Sequence, residues 1–299
     1  MDNHNLITLY QQRLNLQNAT FSRIDHEDAM VAIVYKVTLP NGKQLILKVC
    51  DRVNDYLREV HFLNHFRGIL PVPKIVQHIL PRPGLHGAIL MEYLPGALLK
   101  IAELTETLAY QIGRCLAQIH LSRLSGYGDP VHGDLSSDPR VYFTLKFEEG
   151  LDECRDHLPI ELMENCQRYY SANIDLLSTV DGPCIVHRDF RPGNLIVYES
   201  QLKGIIDWAG ARASFAEEDL CSLEHYEWSN NPHSIKPLLA GYASVRQLPD
   251  YIRLVPFLRL NKAIATIGFT VRQGTWENRH SRIYRYNRQF LEQLFEANL

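Results

Sequence analysis

No two cysteines of this chain stand close together. The six lie at 50, 115, 154, 166, 184 and 221, with no C-x-x-C among them. Neither a zinc site nor a disulfide-stapled scaffold is indicated. The opening run, MDNHNLITLY, lacks the basic region and apolar core of a secretory leader. No uninterrupted apolar run approaches the length of a membrane span. These absences lead to the expectation of a reduced, cytoplasmic protein with no membrane partner. Strong charge of one sign is missing too: 31 Lys and Arg against 34 Asp and Glu leave a formal net charge of −3, which gives no reason to expect nucleic acid. The local exception is Arg253 to Arg288, where eight basic residues face the single acid Glu277. Internal repeats and low-complexity tracts are also lacking.

What is present is an ordinary globular composition, 45% hydrophobic and 22% charged over 299 residues, enough for one large domain or two modest ones. The first part reads as strands. A weak one spans Ala19 to Ile24. Val31 to Leu39 is rich in β-branched and aromatic residues, Pro40-Asn41-Gly42 marks a tight hairpin, and Lys43 to Cys50 returns. A helical pattern comes next, with Leu57, Val60, Leu63 and Phe66 at three-residue steps. Leu70 to Val76 is extended by its two prolines, and Gly87 to Leu94 is a buried-strand candidate. Beyond Gly96 the pattern turns helical, beginning with Leu108, Ile112, Cys115 and Ile119 on one face and Thr105 as N-cap. Two short apolar strands are expected near Leu195 and Ile205. The division falls near Pro95-Gly96: a β-rich lobe over residues 1–95 and a larger helical lobe over residues 96–299, an α+β architecture.

Two stretches carry a Val-His-X-Asp core: VHGDLSSDPR (Val131 to Arg140) and VHRDFRPGNLIV (Val186 to Val197). Their downstream residues separate them. After Asp189, Asn194 comes five residues on, and Asp207 thirteen beyond that, at the end of the apolar run Ile205-Ile206. Phosphoryl transfer needs this layout: one Asp to orient the acceptor hydroxyl, and an Asn and a second Asp to hold magnesium. Five residues after Asp134 stands Pro139, which has no side-chain oxygen to offer a metal. His132 and Asp134 are therefore read as loop residues.

The run HRDFRPGN together with IIDW resembles the catalytic and metal loops of the aminoglycoside phosphotransferase and choline kinase-like enzymes. That family has the bilobal protein-kinase-like fold, and the resemblance covers the chain from about Ala19 to its last helix. It implies Asp189 as catalytic base and Asn194 and Asp207 as Mg2+ ligands. It calls for a lysine on the third strand to hold the nucleotide phosphates. Lys48 fits by alternation from the turn, ahead of Lys36 and Lys43. Glu59, on the next helix, is the expected partner of that lysine. The Glu92 carbonyl and Leu94 amide are the implied contacts to the base of ATP or GTP. Arg191 is read as stabilising charge on the γ-phosphoryl group. Asp219, in AEEDL, takes the family's role of buttressing the catalytic loop. The chain departs from protein kinases between its first two strands, where DHEDAM (Asp25 to Met30) has no glycine for a phosphate-covering loop, and where Glu27 and Asp28 would repel phosphate if they pointed inward.

Asp219 comes only twelve residues after Asp207, which leaves no room for a peptide-docking segment. A small-molecule hydroxyl acceptor is expected, bound by residues from about Val141 to Asp175 and Tyr226 to Arg288. The family's acceptors include aminoglycosides, choline, homoserine and sugar-amines. The acids of FEEGLDECRD and YEW suit a cationic acceptor, and the basic stretch suits an anionic or zwitterionic one. Trp228 and Trp276 either stack on the acceptor or belong to the core. Intact Asp189, Asn194 and Asp207 favour an active kinase. The glycine-free loop is the one feature that favours a nucleotide- or partner-binding pseudokinase.

Overall fold

The computed structural model describes residues 3–24, 32–224 and 227–296. The chain opens with helix α1 (Asn3–Arg13), strands β1 (Thr20–Arg23), β2 (Ala32–Thr38) and β3 (Gln44–Cys50), helix α2 (Val53–Phe66), and strands β4 (Ile75–Ile79), β5 (Gly87–Glu92) and β6 (Ala97–Leu98). Next come helix α3 (Glu106–Leu121), strands β7 (Tyr127–Asp129) and β8 (Asp134–Ser136), helices α4 (Pro139–Cys154) and α5 (Ile160–Asn173), and strand β9 (Cys184–Val186). The last part holds β10 (Leu195–Tyr198), β11 (Gln201–Ile205), β12 (Arg212–Ser214), α6 (Glu217–Leu220), α7 (Ile235–Ala243), α8 (Val255–Arg272) and α9 (Ser281–Glu296). These elements form two compact units that do not respect chain order. One gathers Met1–Gln118, His187–Ala211 and Asn231–Val245; the other gathers Ile119–Val186, Arg212–Asn230 and Arg246–Leu299. The boundary drawn from the sequence at Pro95-Gly96 lies inside the first unit.

The first unit is built on an antiparallel sheet in the order β1-β2-β3-β5-β4. Its β2–β3 hairpin turns at Gly42, whose φ of +80° suits glycine, and Lys43 N–H donates to Asn41 Oδ1 at 3.0 Å. Leu45, Leu47 and Val49 of β3 pack with Leu6, Tyr10 and Leu14 of α1 in one apolar cluster. Period-2 alternation then places Lys48 on the opposite sheet face, paired in register with Val34 and Ile89. Helix α1 is not anticipated by the sequence pattern. Helix α2 forms where expected but is rolled: it buries Tyr56, Glu59, Phe62, Leu63 and Phe66, while Leu57 and Val60 are only half-buried. The roll brings Glu59 inward and sets Phe62 and Phe66 against Trp208, the latter with ring centroids 4.7 Å apart.

Strands β11, β10 and β6 make a second small sheet. The β10–β11 hairpin turns through Glu199 and Ser200 at φ 49° and 56°, the tight-turn geometry suited to strand twist. Thr105 caps α3 as expected, its Oγ1 accepting from Leu108 N–H at 3.2 Å. Helices α3 and α7 meet through glycines: a Cβ on Gly113 would lie 1.8 Å from the Leu238 carbonyl oxygen, so no larger residue fits.

The second unit holds a four-stranded sheet, β8-β7-β12-β9, in a part of the chain expected to be mostly helical. Its strands have three residues each, too short to print an alternation on the sequence. The look-alike stretch at Val131 is the turn and return strand of the β7–β8 hairpin rather than a loop between helices. Helix α8 packs against α4 and α9 around Phe143, Phe147, Tyr170 and Phe257, with the Phe147 and Tyr170 rings stacked at 3.8 Å. By length and composition Ile252–Arg272 would suffice to cross a membrane, but half of its apolar window is buried inside the fold, as a core helix's would be.

Candidate active site

Lys48 sits between two carboxylates. Its Nζ lies 2.9 Å from Glu59 Oε2 and 2.8 Å from Asp207 Oδ1. Lys48 and Glu59 are buried, whereas the Asp207 side chain is 46% exposed. Burial alone would lower the Lys48 ammonium, but the Asp207 and Glu59 charges outweigh it and raise its pKa. Burial raises Glu59, against the pull of Lys48 and of the Trp208 N–H that its carboxylate accepts. Lys48 holds Asp207 below the usual carboxylate range. Lys36, one alternative, lies over the Tyr93 ring at 5.2 Å, and Lys43 is exposed at the turn.

The loop that follows Val186 is closed by its own asparagine. Asn194 Nδ2 donates to the Asp189 carbonyl at 2.8 Å and to Asp189 Oδ2 at 2.7 Å. Arg191 Nε reaches the same Oδ2 at 3.4 Å, and the Asp189 side chain remains 41% exposed. Gly193 leaves space for that guanidinium, since a Cβ there would lie 2.5 Å from Arg191 Nη1. The Asn194 carbonyl accepts from Ile206 N–H at 3.0 Å, and Leu195 pairs with Ile205. The hairpin thus brings Asn194 beside the residue preceding Asp207.

His187 joins the two loops. It is fully buried and takes the Asp189 N–H on Nδ1 at 3.3 Å, while Nε2 donates to the Ile206 carbonyl at 3.1 Å. Those partners put a proton on Nε2. Its ring stands 4.6 Å from that of Trp208, whose Nε1–H donates to the Ile205 carbonyl at 3.1 Å. Asp207 itself is left-handed at φ 66°, ψ 65°, a conformation Asp tolerates better than most residues and one often found at functional sites. The sequence assigns neither His187 nor Trp208 a role; their only signal there is adjacency to the two aspartates.

Glu92 ends β5, its N–H donating to the Lys74 carbonyl at 2.9 Å. Leu94 lies just beyond, its side chain close over Gly204 of β11. Asp219 belongs to the second unit, where its Oδ2 pairs with buried His120 Nε2 at 3.1 Å, a partner the sequence did not suggest. Trp228 is buried core, and Trp276 packs on His157 and Tyr284. Part of the basic stretch is answered internally: Arg272 pairs with Glu153, Arg288 with Glu292, and Arg259 with Tyr286 and the Phe290 ring. The glycine-free segment Asp25 to Met30 and Tyr226 lie outside the described residues.

The donor set fits magnesium. Asn194 commits its Nδ2 to Asp189, leaving its amide oxygen, and Asp207 adds a carboxylate that is half exposed. Among the described residues no three His, Cys, Asp or Glu converge as a self-sufficient metal cage. Two hard oxygens suit an ion that draws its other ligands from water and phosphate.

A strand lysine tied to a helix glutamate, with an Asp…Asn loop and a second aspartate, defines the class: a kinase-like phosphoryl-transfer fold. The model of the phosphotransferase enzyme family matches residues 32–255, and the chain belongs to that family. No curated protein matches the chain. Among solved structures it is similar to the gentamicin complex of APH(2″)-IIa, at 16% identity and a TM-score of 0.70 over 98% of this chain and 96% of that one. It is also similar to a Ralstonia eutropha protein assigned to the aminoglycoside phosphotransferases, at 15% identity and a TM-score of 0.67 over 98% and 97%. Spectinomycin phosphotransferase APH(9)-Ia, in complex with ADP and spectinomycin, matches at 16% identity and a TM-score of 0.61 over 95% and 93%. At these identities the likeness establishes the fold. With the family, it makes the protein an ATP-dependent phosphotransferase, a small-molecule kinase.

Proposed function

We propose that the protein moves the γ-phosphate of ATP to a hydroxyl of a small molecule, with Asp189 as the base. The acceptor is an antibiotic such as an aminoglycoside or a metabolite such as choline, homoserine or a sugar-amine. The supporting observation is that Asp189, Arg191, Asn194, Lys48, Glu59 and Asp207 all fall within one compact unit, in two hydrogen-bonded clusters joined by His187. Asp189 orients the acceptor hydroxyl and takes its proton, its carboxylate held in place by Asn194. Arg191 stabilises negative charge on the phosphoryl oxygens. Lys48, aligned by Glu59, holds the nucleotide phosphates. Asn194 and Asp207 would hold Mg2+, which supplies charge neutralisation at the phosphate oxygens. The Glu92 carbonyl and Leu94 amide face the nucleotide base. In this reading residues 1–95 chiefly bind nucleotide, and residues 96–299 carry catalysis and acceptor recognition.

A screen of hydroxylated metabolites and antibiotics for acceptor-dependent ADP release tests the reading. One acceptor should raise release well above the slow background. Binding of magnesium-nucleotide with no active acceptor would point to a pseudokinase, and failure to bind it at all would overturn both.

A further inference from the structure

Gly204 is buried inside strand β11, paired with Ile196 of β10. Glycine in a strand interior weakens the strand and often marks a close approach by another group. Backbone shape does not call for it here, because its φ lies outside the left-handed region. Space does. A Cβ at Gly204 would lie 2.5 Å from Leu94 Cδ1, far inside contact, and 3.2 Å from Ile196 Cβ. Leu94 therefore occupies the room that a side chain of β11 would take. The backbone around Leu94 is held on both sides. Upstream, Glu92 N–H donates to the Lys74 carbonyl at 2.9 Å. Downstream, Ala97 and Leu98 pair with Val197 and Ile196, and Leu99 N–H donates to the Leu195 carbonyl at 2.8 Å. Gly96 comes so near that an added Cβ would lie 2.4 Å from the Val197 carbonyl oxygen. The segment from Leu94 to Leu98 is thus laid along the β10–β11 hairpin, which begins just after Asn194 and ends just before Asp207, all within the first unit.

We propose that Gly204 is a positioning residue for recognition of the nucleotide base. The slot it leaves seats Leu94, so the Leu94 amide is aligned by the same hairpin that carries the candidate metal ligands. This rests on the reading above that the Leu94 amide faces the base. A Cβ at position 204 evicts the Leu94 side chain. The side chain then lifts its own peptide off the hairpin or swings into the space beside it, and the base loses its fit in either case.

Calorimetric titrations of magnesium-ATP and of adenosine into wild type, Gly204→Ala, Leu94→Ala and the double variant test this, with circular dichroism to check that each is folded. In Gly204→Ala, ATP and adenosine should weaken by the same factor, roughly tenfold, the scale of an overpacked contact. Leu94→Ala loses the seated side chain and should weaken both ligands by a smaller factor. Once Leu94 Cδ1 is gone the obstacle is gone, so adding Gly204→Ala to Leu94→Ala should change either affinity by less than about twofold. A general loosening of the strand would instead carry its full loss into the double variant. The proposal is overturned by that result, by a Gly204→Ala protein that binds ATP within about twofold of wild type, or by a loss of ATP with adenosine unchanged, which would place the defect at the phosphates. If Gly204→Ala does not fold, the double variant and Leu94→Ala are compared directly, and a difference above about twofold overturns the proposal. Failure of wild type itself to bind magnesium-ATP would overturn the proposed function, and this inference with it; wild-type binding with an unaffected Gly204→Ala overturns this inference alone.

Discussion

His132-Gly133-Asp134 and His187-Arg188-Asp189 are nearly the same three residues in different settings. His187 is fully buried, bonded at both ring nitrogens, and set at a tilt against Trp208. His132 is 37% exposed, with Asp129 Oδ2 3.6 Å from its Nδ1. Asp189 is held by an asparagine five residues on, whereas Asp134 opens a three-residue strand and is exposed. The triplet sets only a local backbone shape. What distinguishes the second copy is the set of side chains that arrive to hold it, and those are encoded downstream.

The largest separation should appear in turnover. Asp189→Ala is expected to lower kcat roughly 10²–10⁴-fold, the usual worth of a positioned base, while nucleotide binding survives. Asp134→Ala should stay within about twofold on the same assay, as a surface change does. Steady-state kinetics with an identified acceptor decide between them, and an equal loss in both would erase the contrast.

The second separation is in stability. His187→Ala leaves the Asp189 N–H and the Ile206 carbonyl without their partner in a buried setting, at a cost of about 3 kcal/mol. His132→Ala should cost under ~0.5 kcal/mol. Denaturant midpoints measure both, and a His187→Ala protein as stable as wild type would mean the two loops are joined by something else.

Much of this site was legible in the sequence because it is written in short spacings. Asn194 comes soon after Asp189, the β10–β11 hairpin sets Asp207, and alternation from Gly42 selects Lys48. The rest depends on partners distant in the chain. Nothing around His120 announces Asp219, and nothing in α2 announces that Trp208 would roll the helix inward on Glu59. The β7–β8 and β9–β12 pairings rest on three-residue strands that carry no period. The grouping of His187–Ala211 with the first unit is likewise a matter of packing, which composition shifts near Gly96 do not report.

A smaller effect tests Asp207 through pH. Lys48 holds this carboxyl below the usual range, so its ion pair contributes above the ordinary carboxylate pKa of about 3.9 and fades as pH falls through the folded value. Because the side chain is half exposed, the contribution is modest, about 1 kcal/mol. Asp207→Asn keeps the left-handed backbone, which Asn also accepts. The stability gap to wild type should be constant near neutral pH and close in acid. Glu59, raised by burial and also by the Asp207 charge, acts in the opposite sense, and repeating the comparison in a Glu59→Gln background isolates Asp207. A gap that widens in acid would mean that the fold raises this carboxyl instead of lowering it.

The smallest contrast returns to the middle residue of each triplet. Both are left-handed: Gly133 at φ 77° and Arg188 at φ 65°. Glycine adopts this freely, and a side chain there costs roughly 1 kcal/mol. Nothing lies within 4 Å of a Cβ added at Gly133, so Gly133→Ala should lose about 1 kcal/mol from backbone strain alone. Arg188→Gly should recover up to about 1 kcal/mol by the same reasoning. Thermal melts of the two variants compare them directly. If Arg188→Gly instead lowers the melting temperature, contacts of the arginine outweigh its strain. The left-handed turn before Asp189 would then be held by its side chain, a second way in which this copy of the triplet differs from the other.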